Sequence, residues 1–341
     1  MFQPLDAILT SDEPIRDRET ILALLNHNIH LEHGAIVQYL QHAYAMGEGG
    51  IGTEVITIAR AEMRHMKYFA DLLVDLGGKP TLDRGVVYFD APSAAGMMAN
   101  GIKAEEDALR EYRLQLERVD FAPMQRLLER VLADEEYHHG QFQGFEEELL
   151  SGAAEAKANA AYPSPGPVED PEAMALIGRS FTERYNQVLE YVQYYFESRD
   201  YHARDFLEET WTWAMRGMAL FADELSEHGA DPAFTWDPKP VQGDLRAHVD
   251  RAIALERANA STRNEQMRCP LSPELKALLK NVQAHEAYNA EKLEILKARH
   301  LPITPAEAPA AAAPIVTAEP SFVSPPPRPR SGWTVGSLMQ S

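Results

Sequence analysis

The sequence predicts an all-α protein: two tandem four-helix bundles followed by a disordered Pro/Ala-rich tail. Three observations carry this expectation: apolar seams that step by three and four residues, glycine and proline gathered at a few breaks, and a composition shift near residue 301. At 341 residues the chain exceeds what one hydrophobic core usually serves, so about two domains of ~150 residues are expected.

The first helix is expected from about Arg18 to Met46, stopping at GEGGIG, and the second from about Thr53 to Leu76, stopping at Gly77-Gly78-Lys79-Pro80. The next segment, TLDRGVVYFDAPSAAGMMANG, is too long for a turn between antiparallel neighbours and holds one β-like patch, Val86 to Phe89. It reads as a crossover. A third helix covers roughly Ile102 to Val119, with Met98 at or just before its start; Pro123 marks a turn, and a fourth helix covers roughly Met124 to Leu150. Two hairpins joined by a long crossover make the first bundle, residues 1–152. Residues 153–171 are small and proline-rich and read as a linker. Helical periodicity resumes over 172–300, and 301–332 then favours extended conformers without a core. Residues 333–341 close the sequence as WTVGSLMQS.

Composition excludes several function classes. No apolar run approaches the ~18–20 residues of a membrane span. The first twenty residues lack the basic start and apolar run of a secretory signal, so export is not expected. Fifty-two acids against thirty-two bases give a net charge of -20, which repels nucleic acid and attracts cations. The single cysteine, Cys269, makes neither an internal disulfide nor a thiolate cage. A reducing cytoplasm fits, and any metal must be held by Glu, Asp and His.

Carboxylates stand where the core of the first bundle should be. Helix one reads Leu22, Leu25, Ile29, Glu32, Ile36, Tyr39, and helix two reads Val55, Ile58, Glu62, His65, Phe69, Leu72. Helix three reads Met98, Ile102, Glu105, Leu109, Tyr112, Leu116, and helix four Leu128, Val131, Glu135, His138, Phe142, Phe145. One lone E-x-x-H is ordinarily a solvated face, but four interrupted seams converge. Unpaired buried carboxylates cost several kcal/mol each, so compensating charge is required. Two divalent cations balance four carboxylates, and a Glu from each of two helices plus an E-x-x-H from each of the others is a dinuclear arrangement. Oxygen-rich ligation without thiolate favours iron or manganese over structural zinc. Glu106 replaces Glu105 if the phase of helix three is misread. His139 lies about 100° around the helix from His138 and is expected in solvent, and His27, His30, His33 and His42 are expected to have no metal role.

The stretches LEHGAIVQYLQHAY, AEMRHMKYFADLLVDLGGKP and LLERVLADEEYHHGQF resemble helices of bacterioferritins and related ferritin-like di-iron proteins. The resemblance covers about the first 150 residues. It implies a di-iron site in which Glu62 and Glu135 bridge, Glu32 and Glu105 are terminal, His65 and His138 supply nitrogen, and Tyr39 stands beside the metals. It also implies that Met63 and its counterpart Met215 can ligate a haem, against the plainer reading of both as core filler.

The chain resembles itself. QYLQHAY at 38–44 pairs with EYVQYYF at 190–196, and MRHMKYFADLL at 63–73 with MRGMALFADEL at 215–225, both offset by 152; the later helices are offset by 151. The six ligand positions then map to Arg184, Ala214, Gly217, Glu256, Glu286 and Asn289. Two of the six keep their glutamate, and Arg184 is expected to replace metal as the neutralising group.

The closing segment, with Trp333, Thr334, Val335, Gly336, Ser337 and Leu338, resembles the peptides that load cargo into encapsulin nanocompartments, although Trp333 stands where leucine is frequent. The resemblances together imply a ferroxidase that takes Fe(II) and O2 or peroxide inside a cytoplasmic encapsulin shell; the oligomeric state stays open, a homo-oligomer included. The rival expectation is a di-iron oxidase, oxygenase or peroxidase with an organic substrate channel lined by Val87, Tyr88, Phe89 and Met97.

Overall fold

Eight helices build the described part of the chain. The computed structural model describes residues 13–47, 50–91, 93–152, 171–237 and 243–301. The helices are α1 (Arg18–Met46), α2 (Gly50–Asp75), α3 (Ala94–Arg118), α4 (Ala122–Ser151), α5 (Pro171–Glu197), α6 (Tyr201–Glu227), α7 (Leu245–Gln266) and α8 (Pro273–His300). Short acceptor side chains start several of them: Asp17 accepts from the Thr20 amide, Ser93 from Gly96, Asp200 from Ala203, Asp244 from Ala247 and Ser272 from Leu275. Gly47 and Gly152, both at positive φ, end α1 and α4.

The helix pairs α1–α2 and α3–α4 form hairpins, with α1 against α3 and α2 against α4. The next four repeat this: α5–α6 and α7–α8 pair, α5 meets α7, and α6 meets α8. This is the expected all-α architecture of two four-helix bundles. Both belong to one compact unit, with α1 packed on α6 and α2 on α5. His33 and Tyr185, 152 residues apart, meet at that seam through a 2.8 Å hydrogen bond. Arg199 donates to the Val74 carbonyl, and Arg204 pairs with Asp71.

Two sequence expectations are corrected. Helix α3 begins eight residues earlier than expected, so Met98 lies inside it and is fully buried. Gly96 and Gly101 weaken the local helix signal, yet Gly101 is required there because an added Cβ would lie 2.7 Å from the Phe142 ring. The patch Val86–Phe89 is not a strand. Its backbone bonds to helices instead: the Tyr88 amide donates to Gln38 on α1, and the Tyr88 carbonyl accepts from Asn100 on α3. The crossover lies tightly on α1, where the Gly85 amide donates to the His30 carbonyl at 2.8 Å. Among the described residues no helix is long and apolar enough to cross a membrane.

Candidate metal centre

Each helix of the first bundle delivers its interrupting side chain to the interior. Glu32, Glu62, His65, Glu105, Glu135 and His138 are all 5% exposed or less. The E-x-x-H spacing puts both members of each pair on one helix face, so α2 and α4 each present a carboxylate beside an imidazole.

The two central glutamates are shared. Glu62 places Oε2 2.8 Å from His65 Nδ1 and Oε1 2.8 Å from His138 Nδ1. Glu135 does the same at 3.2 Å and 3.3 Å, one oxygen toward each ring. Two overlapping donor groups result: Glu32, Glu62, His65 and Glu135, and Glu62, Glu105, Glu135 and His138. Within each, the donor atoms lie within 4.8 Å of one another.

A tyrosine holds each outer carboxylate. Tyr39 on α1 donates to Glu105 at 2.7 Å, and Tyr112 on α3 donates to Glu32 at 2.5 Å. Asp134 faces the outer side of His65, Oδ2 to Nε2 at 3.1 Å.

Electrostatics show what the cluster requires. Burial, reinforced by neighbouring carboxylates, raises the pKa values of Glu32 and Glu105 well above the usual range. Burial pushes Glu62 the same way, but His65 and His138 outweigh it and bring Glu62 to about 2. Burial lowers His138, and Glu62 and Glu135 more than reverse this, to about 9; His65 is likewise raised. Protons thus supply the positive charge that four buried carboxylates demand, and a metal ion competes with them for the same atoms. Four oxygen donors of charge −1 and two nitrogens suit two divalent ions of the iron or manganese type.

Other expectations sort by position. Glu105 enters the cluster, whereas Glu106 is exposed and pairs with His139 at 3.6 Å. His27 pairs with Glu111, His33 bonds Tyr185, and His42 is buried away from the donor groups. Met63 and Met215 are partly buried and pack on the core. Met97 is buried, and Tyr88 donates to Asp107. Trp333, Thr334, Val335, Gly336, Ser337 and Leu338 lie outside the described residues. Sequence reasoning missed Tyr112 and Asp134 as site residues, although the Glu-x6-Tyr spacing of Glu32 and Tyr39 recurs in Glu105 and Tyr112.

The second bundle has a different interior. Arg184 lies 3.1 Å from Glu256 and 3.0 Å from Glu286, and Arg263 lies 3.2 Å from Glu286; all four are fully buried. Two guanidinium groups balance two carboxylates. Gly217 leaves room for the Arg184 side chain, whose Nε would lie 3.3 Å from an added Cβ. Arg263 was not anticipated; at the 151 offset it stands where Tyr112 stands in the first bundle.

A groove of about 480 Å³ runs over α3 and α4, lined by Glu106, Arg110, Arg113, Glu117, Glu136 and His139 with Leu109 and Leu114. Residues 22–151 match the family model of the ferritin-like domain. No curated protein and no solved structure matches the chain.

Proposed function

Because residues 22–151 form a ferritin-like domain with a buried carboxylate and imidazole cluster, we propose that this chain is a ferroxidase that oxidises Fe(II) at a di-iron site while carried inside an encapsulin shell. The observation that carries the reading is the sharing of Glu62 and Glu135 between two histidines, one oxygen toward each. Two Fe(II) ions held by these residues would be substrate as well as bound metal, and each would supply one electron to an oxidant of the dioxygen or peroxide class.

The chain's own groups set the conditions. Glu62 and Glu135 would bridge, and Glu32 with His65 and Glu105 with His138 would complete the two positions. Tyr39 and Tyr112 hold the outer carboxylates by hydrogen bonds.

An aerobic Fe(II) titration tests this. Oxidation continuing well past two irons per chain, and abolished by Glu62→Ala, supports a ferroxidase that releases Fe(III) for storage. Uptake that stops at two tightly held irons points instead to a di-iron oxidase with an organic substrate. The shell assignment rests on residues 333–338. Deleting them should abolish co-purification with a co-expressed shell protein while leaving iron oxidation intact.

A further inference from the structure

The two halves of the donor cluster differ in one respect. His65 presents Nδ1 to the shared glutamates, and its outer Nε2 meets Asp134, the residue immediately before Glu135. By the same logic the outer nitrogen of His138 should meet the residue immediately before Glu62. That residue is Ala61, buried and without a polar side chain. Among the described residues, the ring contacts of His138 with carboxylates all run through Nδ1, to Glu62 and Glu135.

A carboxylate on the outer nitrogen of a ligating imidazole fixes its tautomer and orientation and raises its basicity, and losing such a partner typically costs about 10–100-fold in metal affinity.

Resting on the two-metal reading above, we infer that the two positions are unequal: Asp134 makes the Glu32–His65 position the retained one, and the Glu105–His138 position is the one that exchanges. Asp134 acts through His65 and is a positioning residue. The asymmetry makes one ion resident while the other is taken up and released, which suits a protein that processes metal rather than only storing a pair.

Anaerobic Co(II) titration of the full chain, followed by visible absorption, reads the two positions without turnover. The wild type should bind two Co(II) in steps separated by about tenfold or more. Asp134→Ala should weaken the tight step by about 10–100-fold and leave the weak step in place, so that the steps merge. Asp134→Asn, which keeps an acceptor, should restore part of the separation. Ala61→Asp should tighten the weak step; because Ala61 is buried, its folding is checked by circular dichroism, and the surface variant Asp134→Ala decides the question alone if it fails. Two equal steps in the wild type, or an Asp134→Ala variant that shifts both steps alike, would overturn the inference while the two-metal reading survives. Absence of Co(II) binding, or binding unchanged by Glu62→Ala with Glu135→Ala, overturns both.

Discussion

Tyr112 on α3 donates its hydroxyl to Glu32 on α1, at 2.5 Å, with both side chains buried. Tyr39 on α1 reciprocates toward Glu105 on α3 at 2.7 Å. Each outer carboxylate is thus held by the opposite helix, which ties α1 to α3 across the bundle where neither forms a hairpin with the other. Tyr112→Phe keeps the ring against Phe69 and removes only the donor. The metal-free protein should lose about 1–3 kcal/mol, because a buried acceptor is left unmatched. Urea unfolding of both proteins checks this, and an unchanged midpoint would show that the bond carries no net stability.

The second bundle makes a contrasting prediction. Arg184 neutralises Glu256 and Glu286 from a fully buried position. Arg184→Met preserves much of the volume but leaves Arg263 as the one remaining buried guanidinium named in this cluster. Removing one partner from a buried charge cluster should cost about 3–5 kcal/mol. Metal content should stay at two ions per chain in both proteins, measured by elemental analysis. A wild-type chain that binds four would contradict the neutralised interior.

How much of this was legible in the sequence depends on whether a signal lies along one helix or between helices. Glu62 with His65 and Glu135 with His138 are visible because charge interrupts an apolar seam at fixed spacing. The start of α3 is hidden, because Gly96 and Gly101 suppress helix propensity and the reason for Gly101, the Phe142 ring, sits on α4. Val86–Phe89 looks like a strand because a short apolar run has no period of its own; only the structure shows that α1 and α3 take up its hydrogen bonds. Asp134 and Arg263 each act on a residue of another helix, His65 and Glu286, so no one-helix pattern marks them.

The close approach at Gly101 gives a paired test. Gly101→Ala gains helix propensity of about 1 kcal/mol, yet its Cβ would meet Phe142 Cδ1 at 2.7 Å. Phe142 is fully buried against Tyr39, with ring centroids 4.8 Å apart, so shifting it disturbs a packed neighbour. Net destabilisation of about 1–3 kcal/mol is expected. Gly144→Ala on α4 is the control, since its Cβ would meet nothing within 4 Å. That variant should be stabilised by about 0.5–1 kcal/mol. Thermal melts of the two should move in opposite directions.

His42 sets an acid limit on the fold that is independent of the donor cluster. It is buried on α1, and burial, opposed only in part by the Tyr88 backbone, lowers its pKa from 6.5 to about 4. The folded value lies below the unfolded one, so between about pH 4 and 6.5 the unfolded chain binds more protons. Stability therefore rises with pH across this window and is lost as pH falls through it. The full difference is about 3 kcal/mol at about 1.4 kcal/mol per pKa unit. His42→Gln lacks a titrating ring and should show a shallower decline than the wild type between pH 6.5 and 4, measured as urea midpoints of metal-free protein. Parallel pH profiles for the two proteins would mean that His42 titrates alike in the folded and unfolded chains.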